Sequence, residues 1–336
     1  MAEIDFVIAW VDGSDPDWQR RKAACLGERL SDDREHRYRD WDLLRYWFRG
    51  VEAFSPWVRK VWFVCDQEPP RWLNAAHPRL RIARHEDFIP EAYRPAFSAN
   101  PIELNMHRLP GLAERFVFFN DDMFLLKPAA EGDFFKNGLP VDAALLNPVP
   151  TTDLRGRGRE AIVFTIPLND VEVLNRDYDF RACVKAHPLK WLNLRYGKSL
   201  LRNLALMTWP RFVGFDEPHL PQPFLKASFE AAWQQDFDVL DATSRRAIRN
   251  DRDVNQWLIR QRQLAEGRFM PRSPKVGRVF DLDVDAAGAA EAIRGQSAKM
   301  ICVNDGALEP ERFEAARRQL QAAFEAILPK PCGFER

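Results

Sequence analysis

The segment from Phe116 to Phe124 constrains this 336-residue sequence more than any other. It opens with the continuous apolar run Phe-Val-Phe-Phe, which is typical of a strand buried on both faces of a sheet. The run leads directly into Asn120, Asp121 and Asp122 and then becomes apolar again. An uncompensated buried carboxylate costs on the order of several kcal/mol. The pattern therefore predicts a divalent cation at a strand end, as in enzymes that act on nucleotide-sugars or phosphates.

Strands and helices alternate through the first part of the chain. We predict strands over 4–11, 58–65, 80–83, 116–120 and 141–146, with helices over 41–53 and 101–112 among them. This alternation predicts an α/β fold with a Rossmann-like, mostly parallel sheet and helices on both of its faces. Ligands of such sheets bind beyond the carboxyl ends of the strands. Asp12 and the group Asn120–Asp122 both follow predicted strands and fall at that edge.

The character of the sequence changes after residue 150. Residues 181–215 contain no Asp or Glu, yet they carry seven basic residues among several aromatic ones: Arg181, Lys185, Lys190, Arg195, Lys198, Arg202 and Arg211. Beyond them we predict helices over 224–233, 254–264 and 311–328. We divide the chain into an α/β core (1–150), a basic, mainly helical insertion with an acceptor-side loop (151–235) and a helical segment with one returning strand (236–336).

Composition narrows the function classes. Lys+Arg and Asp+Glu both number 49, so net charge gives no argument for binding to nucleic acid. The five cysteines form no CxxC pair, which predicts neither a structural zinc nor a disulfide framework. The first residues lack the features of a secretion signal, and no apolar run approaches ~18 residues. We therefore expect a soluble protein of the cytoplasm.

Each candidate polar residue outside Asp121–Asp122 also has a purely structural interpretation. Asp12 is typical of a turn, and Glu103 and His107, four residues apart, form an ordinary helix pair. His219 lies in a proline-flanked loop, and Arg249 follows other surface-type arginines. The pair Asn304–Asp305 follows an apolar strand, as Asp121–Asp122 does, but it also suits a turn. Taken singly, none of these decides a function.

Taken together, the polar clusters resemble one protein family. The stretches that carry the resemblance are Ile4–Asp15 (IDFVIAWVDGSD), Leu44–Arg49 (LRYWFR), Phe97–Glu103 (FSANPIE) with His107, Arg108, Gly111 and Leu112, and Phe119–Phe124 (FNDDMF). In order and spacing they resemble the Stealth family of bacterial capsular-polysaccharide sugar-1-phosphate transferases, related to the eukaryotic GlcNAc-1-phosphotransferase that tags lysosomal enzymes. Weaker matches are Pro218–Pro221 with Arg249 and Asp253, and Ile301–Asp305. The likeness runs from about residue 4 to about residue 306.

The resemblance implies transfer of a hexose-1-phosphate, such as GlcNAc-1-phosphate, from a UDP-sugar to a glycan hydroxyl, with UMP released. Such a reaction relies on positioning and on stabilising charge at phosphoryl oxygens. A GT-A-like nucleotide-sugar fold and a Mg²⁺ cofactor, with Mn²⁺ as a substitute, are implied as well. The implied partners are a nucleotide-sugar donor and a glycan or polysaccharide acceptor, without nucleic acid.

Roles for individual residues follow from the same resemblance. Asp121, Asp122 and Asp305 are the expected metal ligands. His219 is the candidate general base, because histidine accepts protons near neutral pH. Glu103 is the competing base, or the residue that orients the base or the sugar. Arg249 can bind phosphoryl oxygens through its planar guanidinium group, although Arg245 and Arg246 are alternatives for this role. The expected nucleotide-sugar contacts are Trp10, Asp12, Asp15, Arg45, Asn100, His107 and Arg108.

Two other functions suit the same residues. An ordinary glycosyltransferase needs the same carboxylates, cation and base, but it releases UDP. A catalytically inactive glycan- or membrane-binding module is the alternative from another class. The basic segment 181–215 also predicts either peripheral contact with an anionic membrane, at the inner face of the cytoplasmic membrane, or a grip on an anionic polymer. A basic insert that packs its aromatic residues on the core explains the same composition.

Overall fold

A computed structural model describes residues 3–26, 39–149 and 161–336. Its strands are β1 (Ile4–Ala9), β2 (Val61–Val64), β3 (Leu80–Ala83), β4 (Arg115–Asn120), β5 (Met123–Leu125), β6 (Phe135–Lys136), β7 (Leu139–Asp142), β8 (Gln222–Leu225), β9 (Met270–Pro271), β10 (Gly277–Asp281) and β11 (Met300–Asn304). Its helices are α1 (Pro16–Leu26), α2 (Leu44–Phe54), α3 (His85–Phe88), α4 (Ala99–Asn105), α5 (Ala161–Asp177), α6 (Phe180–Ala186), α7 (Pro188–Trp191), α8 (Ser199–Leu206), α9 (Lys226–Gln235), α10 (Phe237–Ser244), α11 (Gln256–Ala265), α12 (Leu282–Arg294) and α13 (Pro310–Ile327).

The main sheet has five strands in the order β3-β2-β1-β4-β8. The first four are parallel, and β8 pairs with β4 in the antiparallel direction. The fully buried apolar strands β1, β2 and β4 have helices and loops on both faces, as a parallel sheet requires. Because Ala9 pairs with Asn120, the polar residues after β1 and β4 reach the same edge of the sheet. The predicted mixed α/β fold with a parallel sheet is confirmed.

Two smaller sheets complete the fold. In one, β5 lies antiparallel to β11, and β11 lies parallel to β10. This pairing joins the turn after β4 to the C-terminal part of the chain, since the Val303 amide donates a 3.0 Å hydrogen bond to the carbonyl oxygen of Asp122. The other sheet has the order β6-β7-β9.

Several predicted elements need correction. The strand predicted over 141–146 ends at Asp142 and belongs to a small sheet, because its residues 143–146 pack on the helices of the basic segment instead. The helix predicted over 101–112 ends at Asn105 and tightens into a 3₁₀ turn, Met106–Arg108, before Pro110. The start of the helix predicted over 224–233 is strand β8, which the sequence analysis missed. The arginine–glycine stretch 151–160 lies outside the described residues.

Candidate active site

The antiparallel pairing of β8 with β4 places His219 at the carboxyl edge of the sheet. Phe118 is opposite Gln222, so the loop three residues before Gln222 reaches the end of β4. Two hydrogen bonds from helix α11 hold the loop that precedes β8. Arg260 donates to the carbonyl oxygen of Asp216 at 3.1 Å, and Gln261 donates to Glu217 at 2.7 Å. The rigid loop predicted from its prolines is thus held by buried polar side chains.

Both ring nitrogens of His219 have asparagine partners. Its Nδ1 lies 2.7 Å from Oδ1 of Asn304, and its Nε2 lies 2.8 Å from Nδ2 of Asn120. With the amides in these orientations, Nδ1–H donates to Asn304 and the lone pair of Nε2 accepts from Asn120. The imidazole is therefore fixed in the tautomer whose Nε2 can accept a proton. Asn120 and Asn304 follow apolar strands in two different sheets.

Asp122 lies beside this histidine. Its Oδ2 is 3.5 Å from Nδ1 of His219, whereas its Oδ1 is buried and has no hydrogen-bond partner among the described residues. Asp121 is exposed at the same turn, so the expectation of two buried carboxylates is wrong for Asp121. The reason is that β4 ends at Asn120 and the chain reverses before β5. Asp40 lies close enough to Asp12 and Asp121 for their charges to interact.

Donor atoms of Asp122, His219 and Cys302 come within 4.8 Å of one another. This set combines a carboxylate with imidazole and thiol, and Mg²⁺ disfavours the last two. Burial, and then the charge of Asp122, raises the pKa of the Cys302 thiol well above its usual range, so the thiol stays protonated. The imidazole nitrogens are already hydrogen-bonded to asparagines. The chemistry thus fits a hard cation on the unpartnered oxygen of Asp122 and on Asp121, with His219 and Cys302 outside its ligand set.

Asp305 lies one residue beyond Asn304 and has a basic neighbour. The Nε atom of Arg39 is 3.3 Å from its Oδ2. Burial raises the pKa of Asp305, and the charge of Arg39 opposes this effect. The structure therefore brings Asp305 near the site but not into the group formed by Asp122, His219 and Cys302. Its role as a metal ligand stays a prediction.

Glu103 approaches the site from helix α4. Its side chain is buried, and burial raises the pKa of its carboxyl group to about 7. The positive charge of Arg249 lies close enough to oppose that shift. Oε2 of Glu103 has no hydrogen-bond partner among the described residues. A buried carboxyl group that titrates near neutral pH beside an arginine is typical of functional sites.

The start of α4 is tied to the arginine-rich loop through Asp253. Asn100 donates to Oδ2 of Asp253 at 2.9 Å, and Arg246 donates to its Oδ1 at 2.9 Å. Arg245 binds Asp241 at 2.7 Å. Asn100 therefore supports the loop through a buried hydrogen bond. Of the three candidate arginines, Arg249 is the one whose charge acts on Glu103.

The turn after β1 forms a second part of the same edge. Oδ1 of Asp12 accepts hydrogen bonds from the backbone and hydroxyl of Ser14, so Asp12 does form a turn. Gln67, which follows β2, donates to the Asp12 carbonyl at 2.8 Å and to Asp15 at 2.9 Å. The hydrogen bond from Gln67 lowers the pKa of Asp15. Trp10 is half-buried and stacks on Phe63 at 5.6 Å between ring centroids.

Three of the predicted nucleotide-sugar contacts have partners elsewhere. His107 is buried and stacks on Phe229, and burial lowers its pKa to about 3. His107 lies in the 3₁₀ turn that follows α4, so it is not on one regular α-helix with Glu103 as the spacing predicted. Arg108 is exposed, with its guanidinium 4.7 Å from the Trp233 ring. Arg45 lies 5.1 Å from the Trp72 ring and 4.0 Å from Glu335. Their donor-binding roles stay predictions.

Sequence reasoning missed several residues of the site as partners. The sequence indicated Asn120 and Asn304 as polar residues at strand ends, but it did not indicate that both would contact His219. Cys302 was visible only as part of a strand. Gln67 carried no signal. One further buried carboxyl group lies near Glu103, because Asp170 on α5 interacts electrostatically with Glu103, and it interacts with Glu217 as well.

Comparison with known proteins identifies the family of this chain. Family models match at residues 3–29 (Stealth protein CR1, conserved region 1) and 37–141 (Stealth protein CR2, conserved region 2). The capsular polysaccharide phosphotransferase WcwK of Streptococcus pneumoniae is 34% identical over 339 residues, covering 100% of this chain and 99% of the relative. The exopolysaccharide phosphotransferase cps2G of Lactiplantibacillus plantarum is 35% identical, covering 99% and 96%. The receptor polysaccharide phosphotransferase WefC of Streptococcus oralis is 37% identical and covers 100% of both chains.

Among solved structures, the apo form of the bifunctional glycosyltransferase WbbM is similar with a TM-score of 0.39 and 11% identity. It covers 97% of this chain and 52% of the other. A likeness this distant adds nothing to the topology described above.

The parallel strands of the main sheet and the helices around them define the class of this protein as mixed α/β, and its full-length relatives make it a phosphotransferase. The chain belongs to the Stealth family.

Proposed function

We propose that this enzyme transfers a hexose-1-phosphate, such as GlcNAc-1-phosphate, from a UDP-sugar to a hydroxyl group of a glycan in the synthesis of a bacterial capsular or surface polysaccharide. The acceptor oxygen forms a bond to the β-phosphorus, the bond from that phosphorus to the bridging oxygen breaks, and UMP leaves. The position of His219 between Asn120 and Asn304, beside Asp122, carries this proposal.

His219 is the general base in this proposal. Nε2 holds its lone pair toward Asn120, and an acceptor hydroxyl that displaced the Asn120 amide could donate its proton to the same atom. Nδ1–H remains bonded to Asn304, which fixes the ring while Nε2 gains the proton. Asp122, 3.5 Å from Nδ1, stabilises the imidazolium that forms. Each partner therefore has one task in the proton transfer.

Glu103 and Arg249 form the phosphate side of the site. Arg249 can bind two phosphoryl oxygens at once, as a lysine cannot. Glu103 orients Arg249 through their mutual charge interaction, and it remains the competing candidate for the base because its pKa of about 7 suits proton transfer at neutral pH. Glu103 as the orienting residue and Glu103 as the general base predict different dependences of the rate on pH.

Asp122, with Asp121, would hold Mg²⁺ in this proposal, and Asp305 is a further candidate ligand. The observation that supports it is the buried, unpartnered Oδ1 of Asp122 beside the exposed carboxylate of Asp121. A bound Mg²⁺ neutralises negative charge on the donor phosphates. The Asp12–Asp15 turn and Trp10, on the same edge in a GT-A-like arrangement, would contact the nucleotide.

The experiment is product analysis after incubation with UDP-GlcNAc, Mg²⁺ and a capsule-type oligosaccharide. Release of UMP with a phosphodiester-linked product supports the proposal. Release of UDP would instead show a glycosyltransferase that attacks the anomeric carbon. If none of the donors in a panel of nucleotide-sugars is turned over, the result would favour a binding module.

A further inference from the structure

The exposed apolar side chains are concentrated in one part of the basic segment. Nine large apolar side chains are exposed in the described ranges, and six of them lie between residues 189 and 209: Leu189, Leu192, Leu194, Leu201, Leu204 and Trp209. Leu194 is 87% exposed and Leu201 is 70% exposed. Single exposed apolar residues are ordinary, but a concentration of this kind marks an interaction surface.

The segment that carries them is firmly packed on its inner side. Trp191, Tyr196 and Phe212 are buried in a cluster with the apolar residues after β7. Asn203 of α8 donates to the carbonyl of Ala144 at 2.7 Å and accepts from the amide of Leu146 at 2.8 Å. These aromatic residues therefore pack on the core, as one of the sequence-based alternatives predicts, whereas Trp209 is exposed. The buried aromatic residues and Asn203 determine which side of the segment faces the core, so the leucines on the other side are exposed.

Positive charge surrounds these leucines. Arg195 and Lys198 lie between Leu194 and Leu201 and are exposed. Arg181, Lys185 and Arg211 are exposed as well, and the segment 181–215 contains no acidic residue. On α8, Leu201 and Leu204 are three residues apart and share a helix face. The outer side of the segment thus combines leucines, one tryptophan and basic residues.

We propose that the outer side of residues 181–211, which we call the leucine–lysine surface, docks on an anionic lipid bilayer. Leucine and tryptophan side chains enter the boundary between head groups and acyl chains, while lysine and arginine attract anionic head groups. The proposal commits to a bilayer because an anionic polymer would use the basic residues but would gain nothing from the exposed leucines. No described helix is long and apolar enough to cross a membrane, so docking would be peripheral.

Co-sedimentation of the full chain with vesicles tests this proposal without reference to enzymatic activity. The vesicles contain either phosphatidylcholine alone or phosphatidylcholine with phosphatidylglycerol. We expect pelleting with the anionic vesicles and little with the neutral ones, with binding weakened by salt. The absence of pelleting with anionic vesicles at low salt would overturn the proposal.

Variants separate the apolar from the electrostatic contribution. The triple variant L194Q/L201Q/L204Q should bind anionic vesicles about tenfold more weakly or worse. The double variant R195Q/K198Q should bind about fivefold more weakly for each charge removed. The matched control is V284Q, which removes an 81% exposed valine outside the segment and should bind as the wild type does. All the replaced leucines are exposed, and an unchanged melting temperature confirms that each variant is folded.

A polyphosphate-binding assay distinguishes the alternative occupant. If the wild type and the leucine triple variant bind polyphosphate equally and neither binds vesicles, the leucine–lysine surface binds an anionic polymer and the proposal is wrong. If V284Q loses vesicle binding as strongly as the leucine triple variant does, the leucine–lysine surface is not the docking site.

Discussion

The side-chain amide of Asn120 lies 2.8 Å from Nε2 of His219, although the two residues are 99 positions apart in the sequence. The first is the last residue of strand β4 and the second precedes strand β8, and the antiparallel pairing of these strands brings them together. In the proposed mechanism, an acceptor hydroxyl would replace the Asn120 amide at this contact with Nε2 of His219.

Replacement of the base should be the most damaging single change. We expect His219→Ala to lower kcat by about a hundredfold to ten-thousandfold, the usual contribution of a general base. Steady-state kinetics of the wild type and the variant measure this. The matched control is His187→Ala, a half-buried histidine of the basic segment, which should retain the wild-type rate. A His219→Ala rate within a few-fold of the wild type would remove His219 from the role of base.

The dependence of rate on pH distinguishes the two candidate bases. Burial raises the pKa of Glu103 to about 7, so its carboxyl group is largely protonated below that pH and ionised above it. With His219 as the base, Glu103→Gln lowers kcat/KM, because Arg249 loses the partner that orients it, but the rise of rate with pH remains. A flat pH profile in Glu103→Gln, together with a retained rise in His219→Ala, would assign the base to Glu103.

Arg249 should be sensitive even to a conservative change. Arg249→Lys keeps the charge but loses the planar guanidinium group, which can donate two parallel hydrogen bonds to phosphoryl oxygens. We therefore expect kcat/KM to fall about tenfold to a hundredfold. Arg245→Lys is the matched control, since Arg245 is exposed and pairs with Asp241, and it should leave kcat/KM unchanged. Equal losses in the two variants would show that Arg249 has no special contact with phosphate.

Removal of the Asp122 carboxylate should abolish the response to metal. We expect Asp122→Asn to lose at least about a hundredfold in rate and most of its affinity for Mn²⁺, measured by electron paramagnetic resonance with and without donor. The exposed Asp238 supplies the control variant Asp238→Asn, which should bind Mn²⁺ normally. Wild-type rate and Mg²⁺ dependence in Asp122→Asn would show that the metal assignment is wrong.

The buried carboxyl group of Asp170 should make the free energy of unfolding decrease as pH rises. Burial, and then the charge of Glu217, raises its pKa well above 3.8, the ordinary value. Its carboxyl group therefore gives up a proton more easily in the unfolded chain, and the folded state loses stability as pH increases above about that ordinary value. We expect the melting temperature of Asp170→Asn to fall less between acidic and neutral pH than that of the wild type. Identical pH dependence in the two proteins would contradict this assignment.

The part of the site formed by parallel strands could be predicted from the sequence. Apolar strands that end in Asp12 and Asn120 indicate a shared edge, because neighbouring parallel strands present their carboxyl ends on one side, and Ala9 indeed pairs with Asn120. The resemblance to the Stealth family supplied Glu103, His219 and Arg249, for which local patterns alone gave no decision.

The remaining contacts depend on pairings between distant segments. The short strand β8 reads as the beginning of a helix, and only its pairing with β4 places His219 at the sheet edge. The prediction for His107 failed locally, because the α-helix expected to carry it ends at Asn105 and a 3₁₀ turn follows. The partners of Asp305 and Arg45 are likewise long-range, since Arg39 and Glu335 are 266 and 290 residues away in the sequence.

The destination of the β-phosphorus tests the central claim most directly. UDP-GlcNAc carrying a radioactive label in its β-phosphate would be incubated with the enzyme, Mg²⁺ and a capsule-type acceptor, and the products separated. We predict that the label moves into the glycan in a phosphodiester while unlabelled UMP is released. Label that remains entirely in released UDP, with unlabelled sugar on the acceptor, would contradict it.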